Sequence, residues 1–196
     1  MKQFSACLFG VLLTTITLIP TANAGFDEGL VAAQNGDYET ALKEWKPLAD
    51  QGNVSAQHNL ALMYYNGRGV LQNYKQAVKW YRLAADQRNA YAQYNLGLLY
   101  SEGLGVLQDY KLAVKWYRLA AYQGYSQALS NLGNMYENGQ VVLQDYKKAH
   151  MFYNISSYHG SEYGAEKRDQ LATRLNVQQI SEAQDMAREW LAKHSQ

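Results

Sequence analysis

A chain of 196 residues with 18 basic and 17 acidic side chains carries a formal net charge of +1, so it has no cationic excess with which to hold a nucleic acid backbone. A hydrophobic share of 47% is enough for a substantial core at this length, and a single cysteine excludes a disulfide framework. Tyrosine is the over-used residue, with 17 copies, all of them after residue 24.

The first element reads as a leader. Lys2 is followed by an apolar run from Ala6 to Ile19, then by Pro20 and the small-x-small triplet Ala22-Asn23-Ala24. The run is shorter than the roughly 20 apolar residues a spanning helix needs, so residues 1–24 are expected to be a signal peptide cleaved after Ala24. The mature protein would then be periplasmic or secreted, with no stable membrane span. Cys7 would leave with the leader, and an exported chain without disulfides must be held together by packing.

Residues 25–52 look like a degenerate repeat. Asn35-Gly36-Asp37 separates two helical stretches, and Trp45, Leu48 and Ala49 form an apolar stripe on the second. Pro47 lies inside that stretch and is expected to kink it or reshape its first turns.

Three blocks then align without a gap at a period of 36 residues: 53–88, 89–124 and 125–160. Ala56, Ala92 and Ala128 correspond, as do Leu60, Leu96 and Leu132, and Tyr64, Tyr100 and Tyr136. Within a block these residues recur every four positions, which is one face of a helix. Gly67, Gly103 and Gly139 end that helix. Asn73, Asp109 and Asp145 are N-caps for a second one, with Gln76 completing a capping-box pattern in the first block. The second helix carries Ala77, Trp80, Tyr81, Ala84 and Ala85, repeated as Ala113, Trp116, Tyr117, Ala120 and Ala121. Small alanines facing bulky aromatics let helices approach closely. A helix pair of this kind cannot bury its own apolar face, so the units must stack. Residues 161–196 lose the glycine loop and read as capping helices, the last of them opened by Asn176 and Gln179.

The series Ala92, Leu96, Gly97, Tyr100, Gly103, Gly105, Val106, Asp109, Tyr110, Ala113, Trp116, Tyr117, Ala120, Ala121 resembles the Sel1-like repeat, a tetratricopeptide-like motif. The resemblance implies an all-α, right-handed α/α superhelical solenoid of helix pairs whose concave face recruits protein partners. Bacterial proteins of this kind are often exported and appear in envelope regulation, exopolysaccharide systems and host contact. The third block departs from the pattern: Val141 replaces the second loop glycine, and Ser156-Ser157 replace the double alanine. Two readings stay open there, erosion beside the cap or a local polar site of His150, Ser156, Ser157 and His159.

Function is expected on the concave face, which first helices usually line in such solenoids. Residues flanking the core positions place Ser55, His58, Leu62 and Tyr65 on a first rung, Tyr91, Tyr94, Leu98 and Ser101 on a second, and Gln127, Ser130, Asn134 and Glu137 on a third. These rungs vary where the core positions agree, and tyrosines beside leucines suit a protein or peptide partner. No catalytic, cofactor-binding or metal-binding residue is expected. His58, His150, His159 and His194 include no i, i+4 pair, and the paired glycines are repeat loops, not a phosphate cradle. The expected function is therefore a non-catalytic, exported adaptor. A secreted factor that engages a host protein is one alternative. Weak β-lactamase or penicillin-binding activity is another, drawn from a cysteine-rich branch whose repeats each hold a disulfide.

Overall fold

The computed structural model describes residues 22–140 and 143–194. The apolar run of the expected leader and the altered loop position Val141 lie outside the described residues. Within them the chain forms ten helices and no strand: α1 Ala22–Gln34, α2 Tyr38–Asp50, α3 Val54–Asn66, α4 Tyr74–Asp86, α5 Ala90–Glu102, α6 Tyr110–Ala121, α7 Ser126–Asn138, α8 Tyr146–Tyr158, α9 Glu162–Ala172 and α10 Val177–His194. Consecutive helices pack in antiparallel pairs, and each second helix also touches the first helix of the next pair, which makes an α/α solenoid.

Local chemistry sets the boundaries. Asn53 and Asn89 accept the N–H groups of Ala56 and Ala92 at 2.9 and 2.8 Å. Asn73, Asp109 and Asp145 cap the second helices at 3.1, 3.0 and 3.0 Å. The first helices stop at Gly67, Gly103 and Gly139, whose φ values of +69°, +71° and +67° favour a residue without Cβ. The capping box expected at Gln76 forms only in part. The N–H of Asn73 goes instead to the carbonyl of Tyr64 at 2.9 Å, and Asp109 and Asp145 repeat that bond to Tyr100 and Tyr136. This bond ties the start of each second helix to the end of its first. Pro47 does not end α2, which runs on to Asp50. It sits three residues from the end, where the missing N–H costs one bond to the carbonyl of Lys43.

Packing between paired helices pairs a small residue with a ring. An added Cβ on Gly29, Gly97 or Gly133 would come within 2.4–2.7 Å of Trp45, Tyr117 and Tyr153 respectively. The first pair of the full repeats uses Ala61 opposite Tyr81 at the same register, and both are buried. Between units, buried Gln57 and Gln93 donate to the carbonyls of Ala49 and Ala85 and accept from Gln87 and Gln123 at 2.8 Å. Buried Leu129 takes that register in the third block, so the polar link is not repeated.

One expected core position differs. Trp80 is 4% exposed, whereas Trp116 is only partly covered. Lys46 of the preceding unit and Lys79 both lie over the Trp80 ring, at 5.4 and 5.1 Å. Arg82 holds the place equivalent to Lys46 for Trp116, but it bonds the Tyr100 hydroxyl instead, so Lys115 covers that ring alone.

The C-terminal helices close the stack. Ser161 caps α9 through the N–H of Gly164, and Gly164 presses on Ser156, so α9 stands where the first helix of a fourth unit would. The reciprocal box at Asn176 and Gln179 forms as expected, at 2.9 and 3.0 Å. The helix it opens, α10, packs along α8 through Lys147–Glu182 at 2.8 Å and reaches back to Tyr122 with Trp190 and His194.

Candidate functional site

The first helices α3, α5 and α7 carry the twelve residues expected to bind a partner, and the structure divides them. Ser55, Leu62, Tyr91 and Gln127 are exposed. His58, Tyr65, Tyr94, Leu98 and Ser101 are half-buried and reachable. Ser130 is a correction: it is 4% exposed, and its hydroxyl meets that of Ser156 at 2.7 Å. His58 and Tyr94 hold the same register in the earlier blocks. Ser130 differs in being small and in packing directly on Ser156 of α8, which Gly164 of α9 abuts in turn. Asn134 and Glu137 are half-buried and already engaged. The Tyr153 hydroxyl lies 2.7 Å from both the Asn134 side chain and the Glu137 carboxylate, Tyr163 donates to Asn134 at 3.0 Å, and Lys167 and Arg174 stand near that carboxylate.

What remains is an aromatic ladder across the first two rungs. His58 lies 5.9 Å from Tyr91, Tyr91 lies 5.1 Å from Tyr125, Tyr125 lies 5.0 Å from Tyr94, and Tyr94 lies 5.8 Å from Tyr117. Tyr125 was not among the residues expected to bind. It occupies the N-cap register held by Asn53 and Asn89, and α7 has no side-chain cap. An aromatic in place of a cap was the visible signal, because losing a cap costs about 1 kcal/mol unless the new side chain contributes elsewhere.

The ladder ends at a cleft of about 290 Å³ between the second and third rungs, lined by Leu98, Ser101, Tyr117, Asn131 and Asn134 among others. Ser101 and the Tyr117 hydroxyl are 3.3 Å apart. A smaller depression of about 220 Å³ opens at the other end, where Leu62 and Met63 of α3 face Leu30, Trp45 and Arg68.

Electrostatics separate the two sides of each unit. Helices α3, α5 and α7 contain no lysine or arginine, and their only carboxylates are Glu102 and Glu137. The second helices α4, α6 and α8 carry Lys75, Lys79, Arg82, Lys111, Lys115, Arg118, Lys147 and Lys148. Burial pushes the phenols of Tyr94 and Tyr125 up, and that of Tyr117 up to about 12 against the opposing hydrogen bonds of Ser101 and Asn131. Burial also holds His58 below its ordinary value despite its bond to Asn59. At neutral pH the ladder therefore consists of neutral rings and hydroxyls beside the free carboxylate of Glu102.

The second candidate site does not assemble. Ser156 is fully buried and donates to the carbonyl of Ser126 at 2.8 Å, while Ser157 receives Arg168 at 3.4 Å. His150 is buried beside α9, and His159 is exposed against Gly124 and Tyr158. Their surroundings are different, and the four side chains do not converge on one point. Among the described residues no three histidine, cysteine, aspartate or glutamate side chains gather into a metal site.

The Sel1 repeat family model matches residues 54–89, 90–125 and 126–161, three consecutive repeats covering over half of the chain. A Sel1 repeat protein from Oxalobacter formigenes is similar at 34% identity and a TM-score of 0.68, over 71% of this chain and 58% of that one. The protein c5321, a protective antigen of uropathogenic Escherichia coli strains with an SLR fold, is similar at 28% identity and a TM-score of 0.62. That match covers 88% of this chain and 46% of the other, so the chain spans about half the length of these two relatives. The MamA protein shares the fold at 20% identity and a TM-score of 0.51, covering 89% and 96%. No curated protein sequence matches the chain.

Proposed function

The chain belongs to the Sel1 repeat family, and from that premise we propose that it is a non-catalytic adaptor, exported to the periplasm or beyond, that holds a protein partner on the concave face of its first helices. The observation that carries this reading is the aromatic ladder His58–Tyr91–Tyr125–Tyr94, exposed at Tyr91, seated on the buried Tyr117 and built on positions that vary between otherwise constant repeats. Aromatic rings bury much area at little entropy cost, which is why they dominate binding energy at protein interfaces. Helices α3, α5 and α7 contribute no cation, and Glu102 is a carboxylate without an ion pair among the described residues, so the partner segment carries a basic residue for Glu102, with apolar side chains for the ladder and the adjoining clefts.

Export rests on the leader-like residues 1–24. A secreted role in host contact is the second reading, favoured by the likeness to a protective antigen of uropathogenic Escherichia coli. Both readings use the same face and differ only in whose protein lies on it.

Crosslinking with mass spectrometry on expressing cells tests the adaptor. Native protein is compared with the Tyr91→Ala/Tyr94→Ala variant, whose fold is checked by circular dichroism. A partner captured by the native chain and lost with the folded variant supports the reading. A partner captured equally by both moves the site off the ladder.

A further inference from the structure

Each repeat loop holds out a leucine that touches almost nothing. Leu71, Leu107 and Leu143 are 92%, 90% and 92% exposed, at the same register of three successive repeats. Single exposed apolar side chains occur on any surface. These three recur at one register, and the backbone on both sides of Leu71 and Leu107 is held in place.

On the N-terminal side, Gly69 and Gly105 press on the preceding unit. A Cβ there would come within 2.7 Å of the Tyr38 side chain and within 2.4 Å of the Tyr74 backbone. On the C-terminal side, Gln72, Gln108 and Gln144 donate to the carbonyls of Tyr65, Ser101 and Glu137 at 2.9, 2.8 and 2.9 Å. The next residue in each loop is bonded to the end of the first helix. A leucine set between such anchors is held in solvent.

Cations follow at once. Lys75, Lys111 and Lys147 stand four residues after the leucines, in the first turn of each second helix. On α4 and α6 they open exposed stripes at i, i+4 and i+7: Lys75, Lys79 and Arg82, then Lys111, Lys115 and Arg118. None of these six forms an ion pair among the described residues, whereas Lys147 pairs with Glu182. Asp109 and Asp145 sit between leucine and lysine in the second and third loops, as N-caps of α6 and α8, so the cationic excess of this edge comes from the stripes on α4 and α6.

We propose that this leucine-and-lysine edge docks the protein peripherally on an anionic lipid surface. The leucines are projecting knobs, so the complement must be apolar and deformable, with negative charge directly above the apolar layer. A bilayer interface has that order: leucines enter the acyl boundary while lysine stems extend to the phosphates. A rigid protein would need three pockets matched to the repeat spacing, each with an acid beside it. The second turns of α4 and α6 stay within about one Debye length, roughly 10 Å, of the headgroups and add to the attraction. Among the described residues no helix is long and apolar enough to cross a membrane, so the attachment is superficial and salt-sensitive. It lies apart from the aromatic ladder, which leaves a partner free to bind at the same time.

The test is co-sedimentation of the protein, as purified from expressing cells and with its intact mass recorded, with phosphatidylcholine vesicles with and without phosphatidylglycerol. Native protein should sediment with the anionic vesicles and be released by salt. The Leu71→Ser/Leu107→Ser/Leu143→Ser variant should bind at least about tenfold more weakly, with an unchanged melting curve. Lys75→Glu/Lys111→Glu should weaken binding to anionic vesicles and leave the zwitterionic control as it was. Native protein that stays in the supernatant overturns the proposal, as does loss of a crosslinked protein in its place when the leucines are changed. A retained leader could hold both forms on vesicles, so a Leu107→Cys variant made with Cys7→Ser and carrying an environment-sensitive dye gives the local answer. A blue shift on anionic vesicles supports insertion of that loop, and emission unchanged from water refutes it.

Discussion

Replacing Ser156 by alanine restores the residue of the first two repeats, Ala84 and Ala120, and should nonetheless destabilise the protein. Its hydroxyl is fully buried, donates to the carbonyl of Ser126 at 2.8 Å and meets Ser130 at 2.7 Å. Two neutral hydrogen bonds at about 1 kcal/mol each, with a buried Ser130 hydroxyl left unpaired, put the cost at about 2–3 kcal/mol. Ser130→Ala removes only the shared bond and should cost about 1 kcal/mol, because Ser156 keeps its bond to the carbonyl. The double variant leaves no orphaned hydroxyl and should lose about 2 kcal/mol, less than the two single losses together. The coupling of about 1–2 kcal/mol is read from urea unfolding of the four proteins, followed by far-ultraviolet circular dichroism. Additive losses, or a Ser156→Ala protein as stable as the native one, would refute the buried serine pair and restore Ser130 to the binding face.

Three further outcomes follow from the same geometry. Gly105→Ala should cost at least about 3 kcal/mol, since a left-handed φ is combined with a Cβ driven into the Tyr74 backbone; Gly36→Ala, at φ +81° with open space around it, should cost only about 1 kcal/mol. Equal losses in a thermal or urea series would show that the loop does not bear on its neighbour. Trp80→Ala should lose about 3–5 kcal/mol and Trp116→Ala clearly less, about 2 kcal/mol, because only the first ring is enclosed; the reverse order in urea midpoints would be incompatible with the packing described. Burial, then the Arg168 guanidinium, hold His150 below the ordinary histidine value against the pull of Asp169, and its Nδ1 has no partner among the described residues. The unfolded chain therefore binds a proton that the folded one refuses. Its contribution is complete above about pH 6.5 and declines as the pH falls through that value. His150→Val, the residue of the earlier repeats at Val78 and Val114, should flatten the stability profile between about pH 7 and 5, leaving a smaller slope from His58. A variant with the native pH dependence would assign that slope to other groups.

Much of the architecture was legible without coordinates. The 36-residue period marks the helix pairs, and Asn73, Asp109 and Asp145 mark where second helices start because a short side-chain oxygen can reach a first-turn N–H. Gly67, Gly103 and Gly139 mark where first helices end, and the aromatic-alanine stripes mark the core. These are local facts, set by bonds and dihedral angles within a few residues. Gln76 was read too strongly: the Asn73 N–H takes a carbonyl partner from the first helix in place of the Gln76 side chain.

The candidate site was legible on two rungs of three. Helical spacing says which side chains share a face, and it correctly brought His58, Tyr91 and Tyr94 together. It does not say what lies over that face. Only the tertiary structure shows α8 and α9 closing over the third rung, where Ser130 is buried against Ser156 and Asn134 and Glu137 are engaged with Tyr153, Tyr163 and Lys167. It also brings Tyr125, a residue outside the helical stripe, between Tyr91 and Tyr94, and lays α10 along α8. The physical reason is the range of the forces involved. Capping and helical periodicity act within one turn and are written in consecutive residues, whereas burial depends on which distant segment fills the space, and that is decided only when the whole stack is assembled.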